Sequence, residues 1–491
     1  MRERVQATLG TAYVVATDDR PAQVRVQPGA AAAGGYRLAD YVFVPAVAFP
    51  TIADDVRWED VRAFWTGRPA AVSYLSAYAG APTLFVDEAA QAALVALLGR
   101  PAEGTPVEVV PAAELVERVW AARPLAWTIV PFDELQPRLK ALTLDGASVL
   151  TRRFDPAAYP LRMDYALTAP PGVAAQLGVQ TEPWLNRDPE RMTVLIMTGV
   201  TATGRATAWK MELNGVLYPA LQVREILRDH DLLHISNEVS FAADCPYPEP
   251  NSDPVFCANP RYIELLRDIH TDIVELSGNH NEDWGPDAAR LSLQMYQQEG
   301  WTHFAGGWND VDATTPLTVT DHGNTLVFLG CNPVGPYYAW ARPDWPGAAV
   351  CDYPAMYAQI GRARAAGALP IVTWQYWESY QYEPLPEQRE DFRAMAEAGA
   401  AIVSGSQAHQ AQGFDFDGET FIHYGLGNLF FDQMQTLGTR QEFADQHVFY
   451  EGRLLSTRLY TFLLEDFAQP RPMTPEERQT LLELTFRASG W

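Results

Sequence analysis

No run of about 18 apolar residues occurs in the chain, so no segment reads as a helix that could cross a bilayer. Positive charge is scarce. Against 61 Asp and Glu there are 36 Lys and Arg, a formal net charge of −25. That balance argues against a nucleic-acid phosphate backbone or an anionic membrane surface as partner, and fits cationic or neutral ligands. Cysteine is rare, four in 491 residues. No two cysteines stand in Cys-x-x-Cys spacing, which speaks against a structural zinc site. Internal repeats and low-complexity tracts are absent. The opening "MRERVQATLGTAYVVATDDRP" has two arginines and then only a broken apolar stretch, so it is not read as a signal peptide. Membrane association is expected only through a leader not present in this sequence.

What is present is a globular composition, 47% hydrophobic and 11% aromatic, in a chain long enough for two or three domains. The cysteines fall into two close pairs, Cys245 with Cys257 and Cys331 with Cys351. Each pair brackets a proline-rich stretch, "CPYPEPNSDPVFC" and "CNPVGPYYAWARPDWPGAAVC". Two local disulfides account for the even count and imply an oxidising, extracytoplasmic compartment. The alternative is four unrelated buried thiols.

Residues 1–168 alternate apolar strand-like runs ("YVFVPAVAF", "PTLFV", "AWTIVPF") with helical patterns ("AAQAALVALLG", "AAELVERVWAA"). Asp87 is the expected N-cap of the first of these helices and Gly99 its stop. Residues 169–191, with paired prolines and little periodicity, read as a linker. Residues 192–466 alternate more strictly. "TVLIMTGV", "DLLHISNEV", "DIVELSGNH", "NTLVFLGC", "ALPIVTWQYW" and "AAIVSGS" read as strands. "LQVREILRDH", "PRYIELLRDIH", "DAARLSLQMYQQEG", "PAMYAQIGRARAAG" and "EQREDFRAMAEAG" read as helices. Near-continuous apolar strands between amphipathic helices predict a parallel-rich sheet covered on both faces. Asp417-Gly418 signals a hairpin. In the tail, 467–491, Thr474-Pro475-Glu476-Glu477 is a capping box opening a last helix.

In open α/β sheets, ligands bind beyond the carboxyl ends of the strands. Here the strand ends carry Arg205, then Asn237 and Glu238, then Asn279, His280, Asn281, Glu282 and Asp283. Gln375 and Glu378 follow the next strand, Ser406, Gln407 and His409 the one after, and Asn428 and Asp432 the hairpin. Polar and metal-capable groups from separate strands thus converge on one edge.

The series "SNEVSF", "SGNHNEDWG", "SYQYEPLPEQREDFRAMAEAGAAIVSGSQAHQAQGFDF" and "FIHYGLGNLFFDQ" resembles the capsule-biosynthesis, poly-γ-glutamate-synthesis (CapA-like) family, from about 193 to 433. That family is similar in fold to the calcineurin-like metallophosphatases. The resemblance implies a layered α/β domain with two metal ions held by Asp, Glu, Asn and His. Such ions would polarise a phosphoryl or acyl oxygen and acidify a bound water. Position by position, Glu238, Asn279, His280 and His409 match. The departures remove ligands. Val200 stands where the family has Asp, Gln375 where it has His, and Ser406-Gln407 fall within its His-rich run. Valine cannot bind a metal, and a neutral amide is a poor transition-metal ligand. Glu378, Asp283 or Glu282 could substitute.

The resemblance and its departures leave His280, Glu238 and Glu378 as candidate catalytic residues. Glu238, Asn279, His280 and His409 are the candidate ligands of one divalent metal (Mn, Zn or Mg) or of none. Arg205, Gln375, Gln407 and Asn428 are the candidate substrate-binding residues. Structural roles compete with these. Asn279 and His280 could cap the helix that follows, His409 could be held by the hairpin, Asn428 could be a turn residue, and Arg205 and Lys210 could be solvated surface. "QYWESYQY" could stack a sugar or peptide, or pack as an ordinary half-buried loop. Residues 40–165 resemble a lobe of a periplasmic solute-binding protein of the phosphate-binding type. That likeness puts Thr66, Gly67 and Ser73 near a ligand cleft, against the alternative of an α/β domain with no ligand.

Three functions stay open. One is a CapA-like protein of cell-envelope polymer biosynthesis or processing with a depleted metal set. Another is an active metal-dependent phosphoesterase or hydrolase. The third is a non-catalytic module that binds a polymer, a peptidoglycan fragment or a small molecule.

Overall fold

The computed structural model describes residues 24–31, 35–76, 80–177, 183–250 and 256–491, together with Val5 and Thr8. Most of the opening stretch, on which the signal-peptide expectation falls, lies outside them. Two compact units result, Met1–Pro189 and Glu190–Trp491. No helix among the described residues is long and apolar enough to cross a membrane.

The first unit is built on β1 (Arg25–Pro28), β2 (Tyr36–Ala48), β3 (Thr83–Val86), β4 (Val107–Val109), β5 (Ala126–Pro131), β6 (Leu139–Ala141), β7 (Arg162–Thr168) and β8 (Trp184–Leu185). They form one mixed sheet in the order β1-β7-β2-β5-β3-β4, with β6 and β8 also paired to β2. Helices α1 (Trp58–Trp65), α2 (Glu88–Leu98) and α3 (Leu115–Ala122) accompany it. Asp87 caps α2 as its position predicts, accepting from Ala90 N at 2.7 Å, and Gly99 ends the helix in left-handed backbone. The stretch expected to be a linker is partly folded into this unit. It supplies α4 (Pro171–Gln176) and β8, which runs parallel to β2. Its paired prolines start a helix, a position where the missing N–H costs nothing.

In the second unit, β9 (Met192–Thr201), α5 (Arg205–Asn214), β10 (Leu232–Asn237), α6 (Ile263–Asp268), β11 (Ile273–Glu275), α7 (Pro286–Glu299) and β12 (Thr302–Phe304) form parallel β/α units. The segment "LQVREILRDH" yields a single helical turn, Arg224–Leu227, rather than the longer helix expected. Next come β13 (Leu317–Asp321), β14 (Asn324–Cys331), α8 (Tyr353–Ala365), β15 (Leu369–Gln375), α9 (Pro386–Glu397), β16 (Ile402–Ser406), the hairpin β17 (Phe414–Asp417) and β18 (Thr420–His423), and β19 (Asn428–Phe430). The chain closes with β20 (Gln441–Tyr450), β21 (Arg453–Glu465), β22 (Gln469–Pro472) and α10 (Pro475–Ala488). The Thr474 capping box forms as expected, with Glu477 Oε2 accepting from Thr474 N at 2.9 Å.

These strands make two sheets rather than one. The first runs β12-β11-β10-β9-β20-β21-β22, with β19 added to β9; the second runs β13-β14-β15-β16-β18-β17. Their inner faces meet through Phe304–Phe328, Phe414–Phe443 and Phe421–His447, and through a buried His423 Nδ1···Asp445 Oδ2 bond of 2.6 Å. Helices cover each outer face. Met211, Leu266 and Leu293 pack on Ile196, Leu233 and Val274, while Ile360, Phe392 and Met395 pack on Val372 and Val403. The result is a helix–sheet–sheet–helix sandwich. Both disulfides are formed, Cys245–Cys257 and Cys331–Cys351.

Candidate functional site

The parallel strands β9, β10, β15 and β16 end on one side of their sheets, and loops after them carry the candidate residues. Glycine lets these backbones approach. A Cβ at Gly199 would collide with the Gly427 carbonyl, one at Gly278 with the Glu238 backbone, and one at Gly405 with the Tyr424 carbonyl. Arg205, Gln407 and His409 have left-handed backbone, φ 42°, 76° and 53°. Such conformations cost on the order of 1 kcal/mol or more each and concentrate where surroundings dictate a side-chain position.

At the centre sits an amide. Gln375 Nε2 donates to Glu238 Oε1 at 3.2 Å and to Asn279 Oδ1 at 3.1 Å, and it also contacts Gln407 Oε1. Its own carbonyl oxygen accepts from Ser406 Oγ at 2.9 Å. Glu238, Gln375, Ser406 and Gln407 are buried. Glu238 Oε2 has no hydrogen-bond partner among the described residues.

His280 lies beside this group. Its Nδ1 bonds Asp283 Oδ2 at 2.6 Å, and the Phe256 ring meets it edge-on with centroids 4.3 Å apart. Burial pulls the imidazole pKa down, but the Asp283 hydrogen bond and the charges of Glu238 and Asp283 outweigh it, so the net shift is upward. His409 is held from the hairpin side. Its Nδ1 bonds Asn428 Oδ1 at 2.8 Å, and its ring stacks on Phe431. Asn428 Nδ2 donates to Thr439 O at 3.2 Å, so this asparagine fixes a histidine and a turn together. Arg205 pairs with Asp432 through Nε at 3.2 Å and Nη2 at 2.5 Å, with its guanidinium over Phe256 and Phe431. Glu378 is exposed and accepts from Tyr380 at 3.1 Å. Burial, with Glu378 and Glu238 nearby, pushes the Tyr380 hydroxyl up to about 12. Glu282 is buried against Trp345 and Arg342, and burial pushes its carboxyl up to about 8.

The candidate residues therefore divide. Glu238, Asn279, Gln375 and Gln407 form one connected cluster. His280 and His409 are each locked by a neighbour of their own, Arg205 is neutralised, and Glu378 lies at the exposed rim. The residues do not fit a two-ion centre. An amide N–H group lies against Glu238 and Asn279 where they would face a cation, and Val200 is buried and apolar. Among the described residues, three His, Cys, Asp or Glu ligand atoms come within 4.8 Å of one another at Asp231, Asp321 and His322. This group could hold a metal ion. It lies at the opposite end of the strands, and its carboxylates already accept from Val194 N and Thr193 Oγ1. In the first unit, the Thr66 hydroxyl bonds the Arg62 carbonyl at 2.9 Å, Gly67 follows the end of α1, and Ser73 lies in the 3-10 stretch Pro69–Ser76.

Two contributors escaped the sequence. Phe256 and Tyr338 reach the site from the two disulfide-closed loops. Their signal, in retrospect, is an aromatic residue inside each cysteine pair.

Residues 194–433 match the family model described as bacterial capsule synthesis protein PGA_cap. The capsule biosynthesis protein CapA of Bacillus anthracis is 22% identical over 298 residues, covering 60% of this chain and 72% of that protein. The PGA biosynthesis protein CapA of Bacillus subtilis (strain 168) is 24% identical over 233 residues, covering 47% of this chain and 61% of that protein. A 5'-nucleotidase precursor from Thermus thermophilus overlaps 60% of this chain and 58% of its own, with a TM-score of 0.34 and 13% identity. Family match and motif order agree: residues 194–433 of this chain are similar to the bacterial capsule synthesis family of the CapA type.

Proposed function

We propose that this chain is an extracytoplasmic CapA-like protein of cell-envelope polymer metabolism, capsule or poly-γ-glutamate, whose strand-end cleft binds its ligand by hydrogen bonding rather than through a metal pair. The observation that carries this reading is the Gln375 amide, bonded at once to Glu238 and Asn279, the two residues best placed to hold an ion. Two disulfides suit an oxidising compartment. The free Glu238 Oε2 supplies a buried acceptor for an N–H or O–H of the ligand, since an acceptor left unmatched away from water is costly.

The test pairs elemental analysis of the purified chain with calorimetric titration of poly-γ-glutamate oligomers and neutral capsular oligosaccharides. Binding without stoichiometric metal, weakened about tenfold or more by Gln375→Ala, is expected. Stoichiometric metal together with manganese- or zinc-dependent phosphoesterase turnover would establish the hydrolase instead.

A further inference from the structure

The two disulfide-closed loops converge on one carboxylate. Asp283 Oδ2 accepts from the backbone N–H of Phe256, the residue before Cys257, at 2.9 Å. Asp283 Oδ1 accepts from the Tyr338 hydroxyl, inside the Cys331–Cys351 loop, at 3.3 Å. The same Oδ2 takes the 2.6 Å bond from His280 Nδ1. Each loop grips the Asn279–Gly285 turn and its approach a second time. Trp284 Nε1 donates to Asp244, next to Cys245, at 2.9 Å, and Asn332 Nδ2, next to Cys331, donates to the Ser277 carbonyl at 3.0 Å. Phe256 also presses its ring on His280.

The turn is held internally by backbone bonds from Asp283 N to His280 O at 3.2 Å and from Gly285 N to Glu282 O at 2.9 Å, which leave the Asp283 and His280 side chains to other partners. It lies between β11 and α7, outside regular secondary structure. An aspartate there has two free torsions, and an imidazole follows the carboxylate it donates to. What fixes both comes from outside, from two loops each closed by a disulfide, which narrows the conformations a loop can take.

We infer that the Cys245–Cys257 and Cys331–Cys351 loops act as a two-sided clamp on Asp283, with Phe256 and Tyr338 as positioning residues that set the orientation of His280 in the cleft. The inference deepens the binding reading above, because it concerns how the same cleft is held. Its test uses no ligand, so the two can fail separately.

The experiment uses the full chain with 15N-labelled histidine. An Nδ1–H bonded to a carboxylate gives a low-field proton signal, assigned here by its loss in His280→Gln. The buried His423–Asp445 pair gives a second such signal and reports that the fold is intact. The His280 signal should vanish in Asp283→Asn. It should vanish or broaden in Cys245→Ser/Cys257→Ser and in Cys331→Ser/Cys351→Ser, with amide exchange across 277–285 rising about tenfold or more. An unchanged His280 signal and unchanged exchange in both cysteine variants, with the His423 signal retained, overturn the inference. Where a cysteine variant loses the His423 signal, Tyr338→Phe decides, since it removes a single hydroxyl. Faster exchange at 277–285 supports the clamp and unaltered exchange overturns it.

Discussion

At the scale of single residues, the proposed metal-free reading of this cleft rests on Gln375 and Val200. Gln375→His with Val200→Asp adds an imidazole and a carboxylate and removes the amide that faces Glu238 and Asn279. Calorimetry with manganese should show affinity appearing in the double variant, with little in either single one, because each alone leaves the set incomplete. An equally flat titration for all three would mean that Asn279 and His409 are not free to ligate. The resemblance read from the sequence implied that the amide stands where the family has a histidine. It could not show that the nitrogen lies against Glu238 and Asn279, because side-chain hydrogen bonds between distant strands leave no local pattern. Glu442 is a similar case. It is wholly buried, and burial alone drives its pKa well above the ordinary carboxyl value. Yet Glu442 stands in β20 amid residues that read as an ordinary strand.

At the scale of elements, most strands and long helices were legible, since apolar runs and caps are local. That two sheets exist was not. A strand buried on both faces reads the same whether helices lie on both sides or another sheet lies on one. The inner interface is also more polar than the sequence suggested. His447 is fully buried there, and burial, with Asp445 opposing and His423 and His234 reinforcing, lowers its pKa to about 4. The unfolded value is about 6.5. Between these two values the unfolded chain holds a proton that the folded one does not. Stability from this group is therefore complete above about pH 6.5 and is lost as the pH falls toward 4. His447→Gln should flatten that part of the acid-unfolding profile followed by circular dichroism, and a profile of unchanged slope would contradict the assignment. The cross-links belong to this scale as well. Opening either, by a Cys→Ser pair, should lower unfolding free energy by about 3 kcal/mol in denaturant titrations on the chain-entropy account. A loss near zero would mean that the loops are held by their hydrogen bonds alone.

At the scale of the whole molecule, the net charge of −25 acts on any charged polymer before contact. An anionic chain such as poly-γ-glutamate approaches against repulsion. Its affinity should rise as salt shortens the screening length from about 30 Å at 0.01 M to about 8 Å at 0.15 M. A neutral glycan should show no such trend. Titration of both polymers across that range separates them, and an affinity for the anionic polymer that falls with salt would reveal a basic path over the surface that the composition gives no sign of.

The place of β9 has a further consequence, for synthesis. This first strand of the second unit lies in the middle of its sheet and takes its antiparallel neighbour from β20, with Met192 opposite Tyr450. A ribosome therefore makes roughly 250 residues before that edge can be covered, and both cysteine pairs leave the tunnel within that span. The nascent chain carries an uncapped apolar edge for most of its translation, at ordinary elongation speeds about ten seconds or more. A chain stalled before residue 441 should be a strong client of chaperones that bind extended apolar strands.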